Sequence, residues 1–121
     1  MKLTEITRLV EGNLLTPDSN LDWEIRGACA ADLMSDVLAA TQPDAILLTG
    51  LCNPQVVRTA QMADVRAIIF VRGKRPSQET IHLAEQENIP LISSPYGMFE
   101  LCGRLYQAGL PSLENDLDDE E

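Results

Sequence analysis

Asp44-Ala-Ile-Leu-Leu-Thr-Gly50 leads into Leu51-Cys52-Asn53-Pro54, and Arg66-Ala-Ile-Ile-Phe-Val71 leads into Arg72-Gly73-Lys74-Arg75-Pro76. Ile89-Pro-Leu-Ile-Ser93 then leads into Ser94-Pro95. Each stretch is a strand-like apolar run that ends in a polar elbow, and each elbow opens a helical pattern. Strands that alternate with helices are joined by right-handed crossovers and form a parallel sheet. All the elbows of such a sheet fall on one edge, where strand carboxyl ends meet helix amino ends. Open α/β sheets bind ligands at that edge.

The neighbouring elements follow from the same signals. Pro54 suits a first helical turn and Asn53 suits its cap, with Val56, Val57, Ala60 and Ala63 as the buried stripe. Pro76 and Ser77 restart a helix over Gln78–Glu87, with Ile81 and Ala84 facing inward. Pro95 opens a last helix to about Ala108, which Gly109 and Pro111 end. Upstream, Asp32 begins a helix whose buried face is Leu33, Met34, Val37 and Leu38. Leu21–Ala30 alternates weakly around Trp23 and Ile25 and reads as a strand. It is expected to form a β-hairpin with a short strand at Asn13–Thr16, through the turn residues Pro17–Asn20. A short helix from Thr4 to Glu11 opens the chain. Residues 1–110 read as one α/β domain, and 111–121 as an acidic, disordered tail.

The last helix carries too much apolar surface for one face. Tyr96, Met98, Phe99, Leu101, Cys102, Leu105 and Tyr106 cover more than the stripe roughly 100° wide that packs on a sheet. The expected use of the surplus is a two-fold homodimer, set against a thicker core.

With 121 residues, 45% of them hydrophobic, the chain has enough material for a single globular core. No apolar run approaches the roughly 20 residues of a membrane span, and the start lacks the pattern of a secretory signal. A cytoplasmic location is expected, with no membrane partner. The net charge of −10 is concentrated in 114–121, which holds six acids. That balance excludes general nucleic-acid affinity. Cys29, Cys52 and Cys102 are widely spaced and His82 is the only histidine, so neither a metal site nor a disulfide is expected. No nucleophile elbow, P-loop or dinucleotide fingerprint is present. Neither catalytic residues nor a cofactor are assigned, and an enzyme of phosphoryl or acyl transfer is the least favoured class.

The elbows supply the candidate ligand residues. Gly50 permits a sharp turn, Thr49 offers a hydroxyl, and the amides near Asn53 stand at a helix start that favours an anion. The competing reading is that Asn53 only caps and Gly50 only turns. Arg72, Lys74 and Arg75 flank Gly73 in an otherwise acidic chain. Bases at a helix start oppose its dipole, so either an anionic ligand explains them or they are solvated or paired with acids. Ser94 completes the set at the third elbow. Asp32, Ser35 and Asp36 could touch a ligand or metal near the same edge, and the competing, favoured reading is a cap and a solvated face.

Gly27–Leu38, Leu47–Ala60, Ala63–Pro76 and Ile89–Leu105 together resemble the stand-alone DRTGG-domain proteins. The resemblance covers roughly residues 1–110. The five-letter motif that names the family is absent, and Thr49-Gly50 is its nearest remnant. The resemblance implies a three-layer α/β/α sandwich with a mainly parallel sheet, similar to the amino-terminal domain of HPr kinase. It is also similar to domains of phosphotransacetylases and regulatory pyrophosphatases. It implies a regulatory or dimer-forming role, and the anionic small molecule expected at the elbows is a nucleotide or phosphorylated metabolite. The alternative it implies is a scaffold for a redox or signalling protein partner.

Overall fold

The computed structural model describes residues 1–115. Ala45–Thr49 (β3) and Ala67–Phe70 (β4) are buried at every position. A strand apolar on both faces needs helices on both faces of its sheet, and the chain supplies them. Gly27–Ala30 (β2), β3, β4 and Leu91–Ser93 (β5) run parallel, and Asn13–Leu14 (β1) joins β5 antiparallel. The five strands lie in the order β1-β5-β4-β3-β2.

Alternate side chains divide the core into two halves. Leu47, Ile68, Phe70 and Leu91 pack with Val37, Val56, Val57 and Ile81. These come from helices Met34–Ala40 (α2), Pro54–Met62 (α3) and Gln78–Gln86 (α4). Ile46, Leu48, Ile69 and Ile92 pack on the other face with Leu3, Ile6, Leu101 and Leu105. Those belong to Leu3–Leu9 (α1) and Met98–Gln107 (α5). Three successive helices on one face are what same-handed crossovers produce, so this is an α/β/α sandwich. Each fully buried Leu or Ile stabilises it by about 1.5–3 kcal/mol.

The helix starts follow the local chemistry. Asn53 Oδ1 accepts a bond from the Val56 amide at 3.3 Å, with Pro54 in the first turn. Ser77 Oγ does the same for Thr80 at 3.3 Å.

Four expectations are corrected. The hairpin does not form, because β1 and β2 occupy opposite edges of the sheet. The strand expected at Leu21–Ala30 is confined to Gly27–Ala30. Its first half satisfies the amino end of α1 instead: Trp23 O and Leu21 O each accept an amide, from Leu3 and Thr4, at 2.9 Å. Asp32 lies outside α2, and of the expected stripe Leu33 and Leu38 are 61% and 44% exposed. Only Val37 is fully covered there, since α2 packs on an edge strand.

Finally, 111–115 is not a free tail. Leu113 is buried, its amide donates to Ala28 O at 2.9 Å, and Ala28 donates to Pro111 O at 2.9 Å. The segment thereby covers the open edge of β2. Gly27 permits this approach, since a Cβ there would meet Pro111 O at 2.4 Å. The rest of the expected tail, 116–121, lies outside the described residues.

Candidate functional site

The strand ends of β3, β4 and β5 bring the three elbows side by side. The amides of Arg72 and Gly73 donate to Tyr96 O at 2.8 Å and Ser94 O at 2.6 Å, which ties the elbow after β4 to the one after β5. Both residues adopt left-handed backbone, φ 59° and 67°. Gly73 does so without strain, and a positive φ at Arg72 is uncommon for a side chain of that size. On the other side, Lys74 Nζ donates to Gly50 O at 3.2 Å, which ties the same elbow to the one after β3. Asn53 and Lys74 therefore share one rim.

Charge on this rim is unevenly matched. Asp32 Oδ1 accepts the Thr49 hydroxyl at 2.9 Å and the Gly50 amide at 2.8 Å. A Cβ placed on Gly50 would lie 3.4 Å from Lys74 Nζ and 3.7 Å from either Asp32 oxygen. Asp32 and Lys74 thus flank Gly50 without forming an ion pair. Among the described residues Arg72, Lys74 and Arg75 make no ion pair at all, and all three are exposed. The Arg72 guanidinium is turned the other way and lies 3.8 Å from a Cβ placed on Gly97. Gly97 is the cap position of α5, and no side chain caps that helix. Its dipole and first amides favour an anion there.

The structure divides the expected site residues into two groups. Arg72, Gly73, Lys74, Arg75 and Asn53 are exposed on the rim. Ser94 is not: it is fully buried, and its hydroxyl donates to Val10 O at 2.8 Å. Thr49 is also buried, and its hydroxyl is turned to Asp32. The Gly50 amide is taken up by the same carboxylate. Three contributors were not expected from the sequence: Asp32 as an internal acceptor, Gly97 as an uncapped helix start, and Tyr96. The Tyr96 hydroxyl bonds Glu11, which pushes its pKa up, and Arg104 stacks 4.0 Å from its ring centre. For Asp32 the sequence indicated the edge, and not its bonds to Thr49 and Gly50. Partial burial pushes the Cys52 thiol up, with nearby Lys74 opposing, so Cys52 is not an activated nucleophile.

The family model of the DRTGG domain matches residues 5–108. The chain belongs to the DRTGG domain family. No curated protein matches this DRTGG domain in sequence. A solved structure that is similar in fold is that of the CBS and DRTGG domains of the regulatory region of Clostridium perfringens pyrophosphatase, complexed with an activator, diadenosine tetraphosphate. The TM-score is 0.72 at 19% identity, over 91% of this chain and 47% of that one. The DRTGG domain described here thus spans about half the length of that neighbour. Among the described residues, no helix is long and apolar enough to cross a membrane.

Proposed function

We propose that this DRTGG domain is a non-catalytic regulatory module that binds an anionic small molecule, a nucleotide or phosphorylated metabolite, at the elbow rim. The observation that carries the reading is the set of three bases on the loop after β4. No carboxylate among the described residues pairs with them, and they are spread between the uncapped start of α5 and the start of α3. Arg72 with the first amides of α5 forms one contact for phosphate, and Lys74 with Arg75 forms the other. Gly73 keeps the loop free of side-chain bulk between them, and Asn53 borders the second contact. Because Asp32 engages Thr49 and Gly50, those two residues shape the rim and Ser94 supports it from below. The diadenosine tetraphosphate recorded for the pyrophosphatase regulatory region is a ligand of this chemistry.

The test is a thermal-shift titration with diadenosine tetraphosphate, ATP and inorganic phosphate. A nucleotide should stabilise the domain, and Arg72→Ala/Arg75→Ala should fold normally and lose that stabilisation. Equal stabilisation of the double variant would refute the assignment.

The dimer part of the proposal rests on α5. Phe99 is 94% exposed and Tyr106 74% exposed. They lie seven positions apart on one helix face, opposite buried Leu101 and Leu105, so a second copy can cover them by a two-fold contact. The same stripe favours one alternative, docking onto a larger redox or signalling protein with no small-molecule ligand. Light scattering separates the two: a dimeric mass supports self-association, and a monomeric mass with a co-purifying partner supports the scaffold.

A further inference from the structure

The edge where the parallel strands begin, away from the elbows, holds a second binding feature. A groove of about 370 Å³ is walled by Trp23, Ala84, Ile89 and Pro90 and rimmed by the exposed carboxylates Asp18 and Glu85. No Lys or Arg lines it, and among the described residues neither carboxylate has an ion-pair partner. A neighbouring hollow shares Trp23, Asn88 and Ile89 with it and adds Asp64, Glu87 and the Asp44–Arg66 pair. In that hollow the chain provides its own cation. The Arg66 guanidinium lies 5.3 Å from the centre of the Trp23 ring, with Asp44 Oδ1 at 2.7 Å. Indole and carboxylate together already hold one organic cation here. The first groove repeats that combination, Trp23 with Asp18 and Glu85, and has no cation from the chain.

We propose that this groove is a site for a linear aliphatic di- or polyamine. One ammonium is received by Asp18 and Glu85, and the methylene chain lies along Trp23, Ala84, Ile89 and Pro90. A second ammonium reaches the acids of the adjoining hollow, Asp64 and Glu87. Anionic ligands are repelled by the same carboxylates, so this site and the elbow rim select opposite charges and are independent.

Trp23 is the only tryptophan in the chain, so its fluorescence reports the groove directly. The probe is spermidine, titrated at about 0.1 M salt, where long-range attraction is screened. A saturable change in Trp23 emission is expected. Asp18→Asn/Glu85→Gln, which alters two exposed side chains, should weaken it about tenfold, the loss expected for two charged contacts. Glu5→Gln/Glu79→Gln removes the same charge from two exposed residues outside the groove's lining and should leave the affinity unchanged. The proposal is overturned by no saturable change up to ~10 mM, the limit of useful affinity for such a cation. It is equally overturned if the groove variant binds like the parent, or if the two variants lose affinity alike.

Discussion

Replacing Asp32 with Ala should weaken the fold and strengthen anion binding together. The carboxylate accepts two bonds, from Thr49 Oγ1 at 2.9 Å and the Gly50 amide at 2.8 Å. Bonds to an ionised group are worth about 1.5–3 kcal/mol each when buried. Asp32 is exposed, water can replace it at Gly50, and the net loss is therefore about 1–2 kcal/mol. For a domain of this size that lowers Tm by roughly 4–10 °C. Binding responds in the opposite sense. Asp32 and Lys74 flank the same glycine, so an anion held by Lys74 lies near a carboxylate. That repulsion, screened by solvent and salt, corresponds to roughly a three- to tenfold gain in affinity when it is removed. Asp32→Asn is the companion variant. Its amide oxygen can keep accepting from Thr49 and Gly50, so it should gain affinity with little loss of Tm. The assay is urea denaturation beside calorimetric titration with diadenosine tetraphosphate, at pH 7. If both variants stay folded and bind the nucleotide more weakly, Asp32 is itself a ligand contact and the reasoning fails.

Three further outcomes are expected. Phe99→Ser should leave Tm nearly unchanged, because the ring is 94% exposed, and should halve the mass measured by light scattering; an unchanged mass would remove α5 from the interface. Gly27→Ala would place a Cβ 2.4 Å from Pro111 O and 2.6 Å from Leu113 Cγ. It should displace 111–115 and lower stability by about 1–3 kcal/mol, with faster hydrogen exchange at the Ala28 and Leu113 amides; unchanged protection at both would contradict the edge packing. Burial raises the Cys29 thiol above its ordinary 9.0. The folded state then holds that proton more tightly than the unfolded chain, so stability is complete below pH 9.0 and falls as pH rises towards the raised value. The fall should be smaller in Cys29→Ala, and an identical pH profile for the two proteins would show that the thiol does not contribute.

The order of helices and strands from Asp44 to Pro95 was legible because each signal there is local. β3 and β5 lie within the apolar runs Asp44–Gly50 and Ile89–Ser93, and Asn53 and Ser77 cap the helices Pro54–Met62 and Gln78–Gln86. Failures cluster where the local signal is weak or the partner distant. Leu33 and Leu38 have helical spacing, yet α2 covers only an edge and leaves them exposed. Trp23 and Ile25 alternate like strand residues, yet their backbone serves the amino end of α1. At the site, the basic loop was evident from composition. The roles of Ser94 and Thr49 were not, because a hydroxyl's partner is set by what packs against it.

Runs of apolar residues and their polar breaks were by themselves enough to specify a parallel α/β chain with its elbows on one rim, since crossover handedness leaves little freedom. The tertiary structure alone decided which edge takes β1, where 111–115 docks, and that Asp32 turns to the Gly50 amide. Such pairings depend on contacts between residues far apart in the chain. Periodicity records only that a side chain is buried, and not what it is buried against.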